Sequence, residues 1–326
     1  MTKKIISVTL ALLILISTMV SYAAAYSEME EKEYMESLLE STSTSDKAKY
    51  VELIRARGGT TFSYSINMYD YFTEQYNKLS QEFMVASNAE EIYSPEEVDY
   101  ILNYKARLTE RVEYLNSLTD EQLDLLNCTE EQKYAIRNFD GSDMMLRSAA
   151  SGLVVDGGFD PFEYPKSGGT KTRLVVYFYW NGGYTPGSLF SNEDIMGASW
   201  DSPFQADTEN TIITLGYVNA KKNSTFNKSG EVIECGKYAN GFLIPNNELK
   251  FIDDIPIGHW ISDGFMNVPL STRTKQVEAT GFTAYGYNTI SATPSIGVGS
   301  DGNVTVGFSF SKKVSVVHPK RFYFPD

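Results

Sequence analysis

The sequence predicts an α+β fold, an N-terminal helical hairpin region followed by an antiparallel β-sandwich domain. Three observations lead there. Apolar residues recur every three or four positions before residue 150, and alternate in glycine-punctuated segments after it. Within residues 26–150 glycine occurs only at Gly58, Gly59 and Gly141, whereas residues 151–326 are studded with Gly, Ser, Thr and Asn. Charge divides at the same place: residues 26–150 carry 25 acids and 12 bases, a net of −13, and residues 151–326 carry 17 acids and 14 bases, a net of −3.

Lys3-Lys4 precede an apolar run from Ile5 to about Val20, and Ala23-Ala24-Ala25 supplies a small-residue cleavage pattern. This is the layout of a secretory signal over residues 1–25, removed near Ala25. It predicts a secreted, extracellular protein with no membrane span in its mature chain. Losing Lys3 and Lys4 takes the formal charge from −14 to −16. So acidic a surface repels phosphate backbones, so nucleic acid is not an expected partner.

Residues 26–60 read as a charged helix and linker, with a stripe at Met35, Leu38 and Leu39 and a second short helix ending at Gly58-Gly59. Residues 61–150 read as the acidic helical hairpin. Phe62, Ile66, Tyr69, Phe72, Tyr76, Leu79 and Phe83 have the spacing of one helix face. Ser94-Pro95-Glu96-Glu97 opens a second helix, whose stripe is Val98, Ile101, Leu102, Leu108, Val112 and Leu115. Thr119-Asp120-Glu121-Gln122 and Thr129-Glu130-Glu131-Gln132 are two capping boxes, each able to start a short helix. The small residues from Ser148 to Gly152 predict an exposed connection to residues 151–326.

In residues 151–326, Leu174, Val176, Phe178 and Trp180 alternate with Val175, Tyr177 and Tyr179, so both faces of this strand are apolar or aromatic, as in a sheet interior. Further strands are predicted over 194–200, 211–218, 231–238, 274–280 and 282–290. A hairpin is predicted around Gly299-Ser300-Asp301-Gly302-Asn303. Two packed antiparallel layers are the natural way to bury so many short strands.

Thr129, Glu131, Gln132, Ala135 to Asn138, Phe139 to Ser142, Met145 and Leu146 form a TxEQxxAIRNFDGS-like junction. It resembles one found in secreted proteins of Gram-positive bacteria, where an acidic helical region precedes an aromatic-rich β-domain. The resemblance implies secretion and that layout. It implies no activity and gives no residue a catalytic role.

Chemistry-bearing residues are few. Two His and two Cys exclude a Cys₄ or His₃ zinc site, and no cofactor or metal is expected. His259, with Asp253, Asp254 and Asp263 nearby in sequence, is the one candidate general base, but no G-x-S-x-G elbow accompanies it. Asp156, Asp160 and Glu163, in a stretch read as a Gly-rich loop, could supply a glycosidase-like carboxylate pair. Cys128 and Cys235 could pair as a disulfide or remain buried thiols. The 22 tyrosines and three tryptophans are more telling, because flat rings with a polar tip suit glycan or protein contacts. Tyr177, Tyr179, Trp200, Tyr285 and Tyr287 are the candidate binding residues. The leading expectation is a non-enzymatic binding protein whose β-domain contacts an extracellular glycan or protein. The alternatives are a secreted hydrolase, and a helical propeptide or inhibitor released near Ala150.

Overall fold

A computed structural model describes residues 33–41, 43–57, 59, 61–85, 95–163, 169–182, 193–201, 203–219, 224–234, 238–245, 247–252, 255–286, 294–298, 304–308 and 315–323. The predicted signal lies outside them. Contacts divide the chain into two units, Met1–Ser41 and Thr42–Asp326. In the first, helix α1 covers residues 33–40 and Met35, Leu38 and Leu39 are its buried positions, the stripe expected there.

The second unit combines helices with antiparallel sheets. Its helices are α2 (Thr44–Ala56), α3 (Met68–Val85), α4 (Pro95–Leu102), α5 (Tyr104–Asn116), α6 (Asp120–Leu125), α7 (Glu130–Arg137) and α8 (Asp143–Ala149). The largest sheet runs in the order β1 (Thr61–Asn67), β2 (Gly152–Glu163), β3 (Lys171–Asn181), β11 (Ile255–Ser271), β6 (Ile212–Asn219), β7 (Ser224–Ser229). Strands β5 (Gln205–Ala206) and β10 (Asn247–Ile252) also pair with β11. A second sheet runs β15 (Ser315–Tyr323), β12 (Glu278–Gly286), β4 (Glu193–Trp200), β9 (Ala239–Pro245), β8 (Ile233–Glu234). The predicted late hairpin is β13 (Pro294–Val298) paired with β14 (Val304–Phe308).

The core follows from alternation. Leu174, Val176, Phe178 and Trp180 on β3 share one buried cluster with Met196, Ala198, Trp200, Phe242, Ile244 and Tyr285 of the second sheet. Helix α2 packs against β2, β3 and β11, and its Lys47, Tyr50, Val51 and Ile54 are buried. The helices build a second cluster from Val112, Leu115, Leu123, Ile136 and Leu146, which reaches Val218 on β6.

Several expectations are corrected. The helix predicted from Phe62 begins at Met68, and residues 61–67 are strand β1. Phe62 and Ile66 are four apart, a spacing that fits a helical turn and also one face of a strand; Phe62 and Tyr64 are buried while Ser63 and Ser65 are exposed. The true helix start is marked by Asn67, whose Oδ1 accepts from the backbone N–H of Tyr69 at 2.9 Å. The second predicted helix is broken at Asn103, which turns its amide back onto the Asp99 carbonyl at 3.0 Å and divides α4 from α5.

The connection at Ser148–Gly152 is not exposed: Ala149, Ala150 and Ser151 are buried and lead straight into β2. Small residues serve close packing there. The stretch holding Asp156, Asp160 and Glu163 is strand β2 rather than a loop. Its Gly157 is required because a Cβ would collide with the Phe62 ring and the Val175 carbonyl. The strands predicted over 274–280 and 282–290 are one strand, β12, beginning at Glu278, and residues 287–290 lie outside the described residues.

Candidate functional site

On β3, Tyr177 and Tyr179 point away from the core side that holds Phe178 and Trp180, and both are half-buried. Their ring centroids lie 5.8 Å apart at 32°. The register sets Asp156 of β2 and Phe265 of β11 beside Tyr177, and Val154 and Asp263 beside Tyr179. Burial, then the negative charge of Asp263, pushes the Tyr177 phenol above its ordinary range. Burial, then Asp156, does the same for Tyr179. Both phenols therefore stay protonated and can donate. An Arg55 guanidinium from α2 approaches Asp156 to 4.0 Å at the edge of this patch.

The other predicted aromatics do not join them. Tyr285 is fully enclosed, donating from its hydroxyl to Asp194 Oδ2 at 2.9 Å and accepting from Trp180 Nε1 at 3.4 Å. Trp200 is also buried, in the cluster shared by residues of both sheets. Both side chains face the interior, so neither presents a surface to a ligand. Tyr287 lies outside the described residues.

Next to Tyr179, across Val154, a pocket of about 360 Å³ opens where α7 and α8 meet the ends of β1, β2 and β3. Val154 and Met144 supply its apolar side chains and Ser65, Asn67, Glu131, Gln132, Arg147, Ser148 and Asn181 its polar ones, while Ile66 and Leu153 border it from the strands whose other face they fill. The sequence fixes this geometry locally. The Thr129 capping box holds Gln132, whose Oε1 accepts from Thr129 N at 2.9 Å and whose Nε2 donates to the Ala150 carbonyl at 3.0 Å. Asn181 Oδ1 accepts from the Gly152 N–H at 2.8 Å, tying the end of β3 to the start of β2. Arg147 is held by Asp70 through two hydrogen bonds of 2.7 and 2.8 Å.

The predicted chemical groups are dispersed. His259 is fully buried with its ring edge-on to Phe226, centroids 5.0 Å apart, and cannot meet a substrate as placed. Asp253 and Asp254 lie outside the described residues. Asp160 is buried, accepting from the Tyr50 hydroxyl, which gives it a structural role in anchoring α2. Asp263 accepts from the Ser262 hydroxyl at 2.5 Å. Cys128 is a buried free thiol, pushed up to about 11 by burial, and Cys235 lies outside the described residues. Lys47, on the buried face of α2, has its ammonium 5.4 Å from the Phe265 ring centre, and burial lowers its pKa to about 8. Among the described residues no group of three His, Cys, Asp or Glu could hold a metal ion, and no helix is long and apolar enough to cross a membrane.

No protein-family model matches the chain, and no curated protein is similar to it. Solved structures give slight likenesses. The collagen-binding subdomain of the Enterococcus faecalis surface protein ACE is 9% identical, with 49% of this chain and 97% of that one covered at a TM-score of 0.22. The collagen-binding domain of a Staphylococcus aureus adhesin is 9% identical, with 46% and 87% covered at 0.23. Clostridium perfringens delta-toxin is 9% identical, with 53% and 85% covered at 0.26. Likenesses this slight carry no argument about this chain.

Among the described candidate binding residues, Trp200 and Tyr285 are enclosed while Tyr177 and Tyr179 are only partly buried. The pocket beside them was not foreseen. One signal for it lies in Thr129-Glu130-Glu131-Gln132, which the sequence marks as a helix start and which also supplies Glu131 and Gln132 to the lining.

Proposed function

We propose that the protein is secreted and acts outside the cell as a non-enzymatic binding protein, its second half a β-sandwich that meets a glycan or protein through aromatic side chains. The observation that carries this reading is the Tyr177–Tyr179 pair. Two tilted rings with protonated hydroxyls stand on a rigid inner strand, beside a carboxylate and an open polar pocket. Rings held on a strand lose little freedom on binding, which is why such residues dominate interface energetics. The burial of His259 and the engagement of Asp160 by Tyr50 favour binding over hydrolysis at the residues first considered.

A glycan and protein array at physiological salt tests the reading. The chain from residue 26 should give saturable binding, and Tyr179→Ala should weaken it about tenfold, equivalent to about 1.4 kcal/mol, with an unchanged circular dichroism spectrum. Absence of saturable binding, or equal binding by the variant, refutes it.

A further inference from the structure

The pocket between α7, α8 and the ends of β1, β2 and β3 carries more hydrogen-bonding capacity than the fold uses. The hydroxyls of Ser65 and Ser148, the Asn181 side-chain nitrogen and the Glu131 carboxylate all line it, and none has a protein partner among the described residues. Gln132, in contrast, is occupied at both ends of its amide. Charge in the pocket is nearly balanced. Arg147 already neutralises Asp70 through a bidentate pair, so it offers no free cation, while Glu131 stands exposed and would oppose an anion.

Val154 on the sheet side and Met144, 73% exposed, add apolar side chains to the lining. The volume of about 360 Å³ lies at the lower end of small-molecule sites, which run to roughly 300–1,000 Å³. The Val154 and Met144 side chains suit the C–H face of a sugar ring. Scattered hydroxyl and amide groups suit its hydroxyls, and a carboxylate can accept from two neighbouring ones.

We propose that this pocket holds one end unit of an uncharged glycan, with Glu131, Ser65, Ser148 and Asn181 reading its hydroxyls and Tyr179 stacking on the next unit. The assignment rests on the reading of the Tyr177–Tyr179 face as a binding surface, and it names that face's ligand. Val154 links the two parts, because it lines the pocket and stands opposite Tyr179 in register. The formal charge of the mature chain, −16, works in the same direction by repelling uronate and sulfated polymers.

Calorimetry and saturation-transfer NMR on the chain from residue 26 test this. The probes are neutral mono- and oligosaccharides of gluco, galacto and manno configuration, their N-acetylated forms, the matching uronates and amino sugars, and an uncharged peptide. At least one neutral sugar should bind. Glu131→Ala and Ser65→Ala, both at exposed positions, should each weaken it five- to tenfold. Tyr179→Ala should weaken oligosaccharides but leave the monosaccharide unchanged.

Preference for a uronate, an amino sugar or the peptide overturns the assignment. Sugar binding that Tyr179→Ala weakens but the two pocket variants leave intact also overturns it, and leaves the aromatic face standing. Binding that responds to the pocket variants but at no chain length to Tyr179→Ala supports the pocket and removes the aromatic face. Silence across the panel overturns the glycan assignment, and the aromatic face then stands or falls with the protein half of the array.

Discussion

Tyr285 is enclosed because its hydroxyl is hydrogen-bonded on both sides, donating to Asp194 and accepting from Trp180. Tyr285→Phe removes both bonds and leaves a buried carboxylate under-satisfied. It should lower the unfolding free energy by about 1–3 kcal/mol in a urea titration at pH 7, and a loss below 0.5 kcal/mol would contradict the placement. Lys47 makes a pH-dependent contribution. Its amine is held at about 8 in the folded chain against 10.5 as the ordinary value, so between those limits the unfolded chain holds the proton and the folded chain does not. The penalty of burying the ammonium is therefore complete below pH 8 and is relieved as pH rises towards 10.5. Relative to Lys47→Met, the natural protein should gain stability over that window, by at most about 1.4 kcal/mol per pH unit, and parallel stability curves would disprove it. Cys128 should resist thiol reagents in the native protein at pH 8 and react within minutes in denaturant, because burial keeps it a thiol. At this scale the sequence revealed which residues could do chemistry but not which way they faced. Tyr177 and Tyr285 have the same strand spacing to a partner tyrosine, and only the packing of a second sheet sends one outward and the other inward.

Elements were legible where the signal is local. Both capping boxes form as read, with Thr119 and Thr129 accepting from the N–H of Gln122 and Gln132. Thr129→Ala should cost about 0.5–2 kcal/mol and Gln132→Ala at least as much, since the latter also strips a bond from the buried Ala150 carbonyl. Thermal unfolding of the two variants checks this, and a smaller loss for Gln132→Ala would count against its bridging role. Elements defined by distant partners were hidden. Strand β1 was masked by a helical spacing, and nothing in seven residues announces that residues 61–67 pair with residues 152–158. Strand β11, the longest, was missed altogether. Gly258, Asn267 and Pro269 dilute its alternation, and an irregularity in its pairing with β6 between Ile261 and Asp263 shifts its inward face midway.

At the scale of the molecule, the divide read from charge and glycine does not divide the interior. Met68, Phe72 and Tyr104 from the helices share one core cluster with Leu153, Phe178 and Trp180 from the sheet. Residues 42–326 should accordingly unfold in one step, with far-UV circular dichroism and tryptophan fluorescence reporting the same midpoint; two separated midpoints would show independent parts. The pairing of β1 with β2 has a further meaning for how the chain is assembled. The two strands are a hairpin whose turn has been replaced by everything from Met68 to Ser151. Closing so long a loop costs little more than closing a short one, since a tenfold increase in length adds about 2 kcal/mol. Helices form from neighbouring residues and can gather early, so by collapsing they carry the two strand ends towards each other. The acidic helical block is in this sense the clasp that lets the largest sheet close its edge.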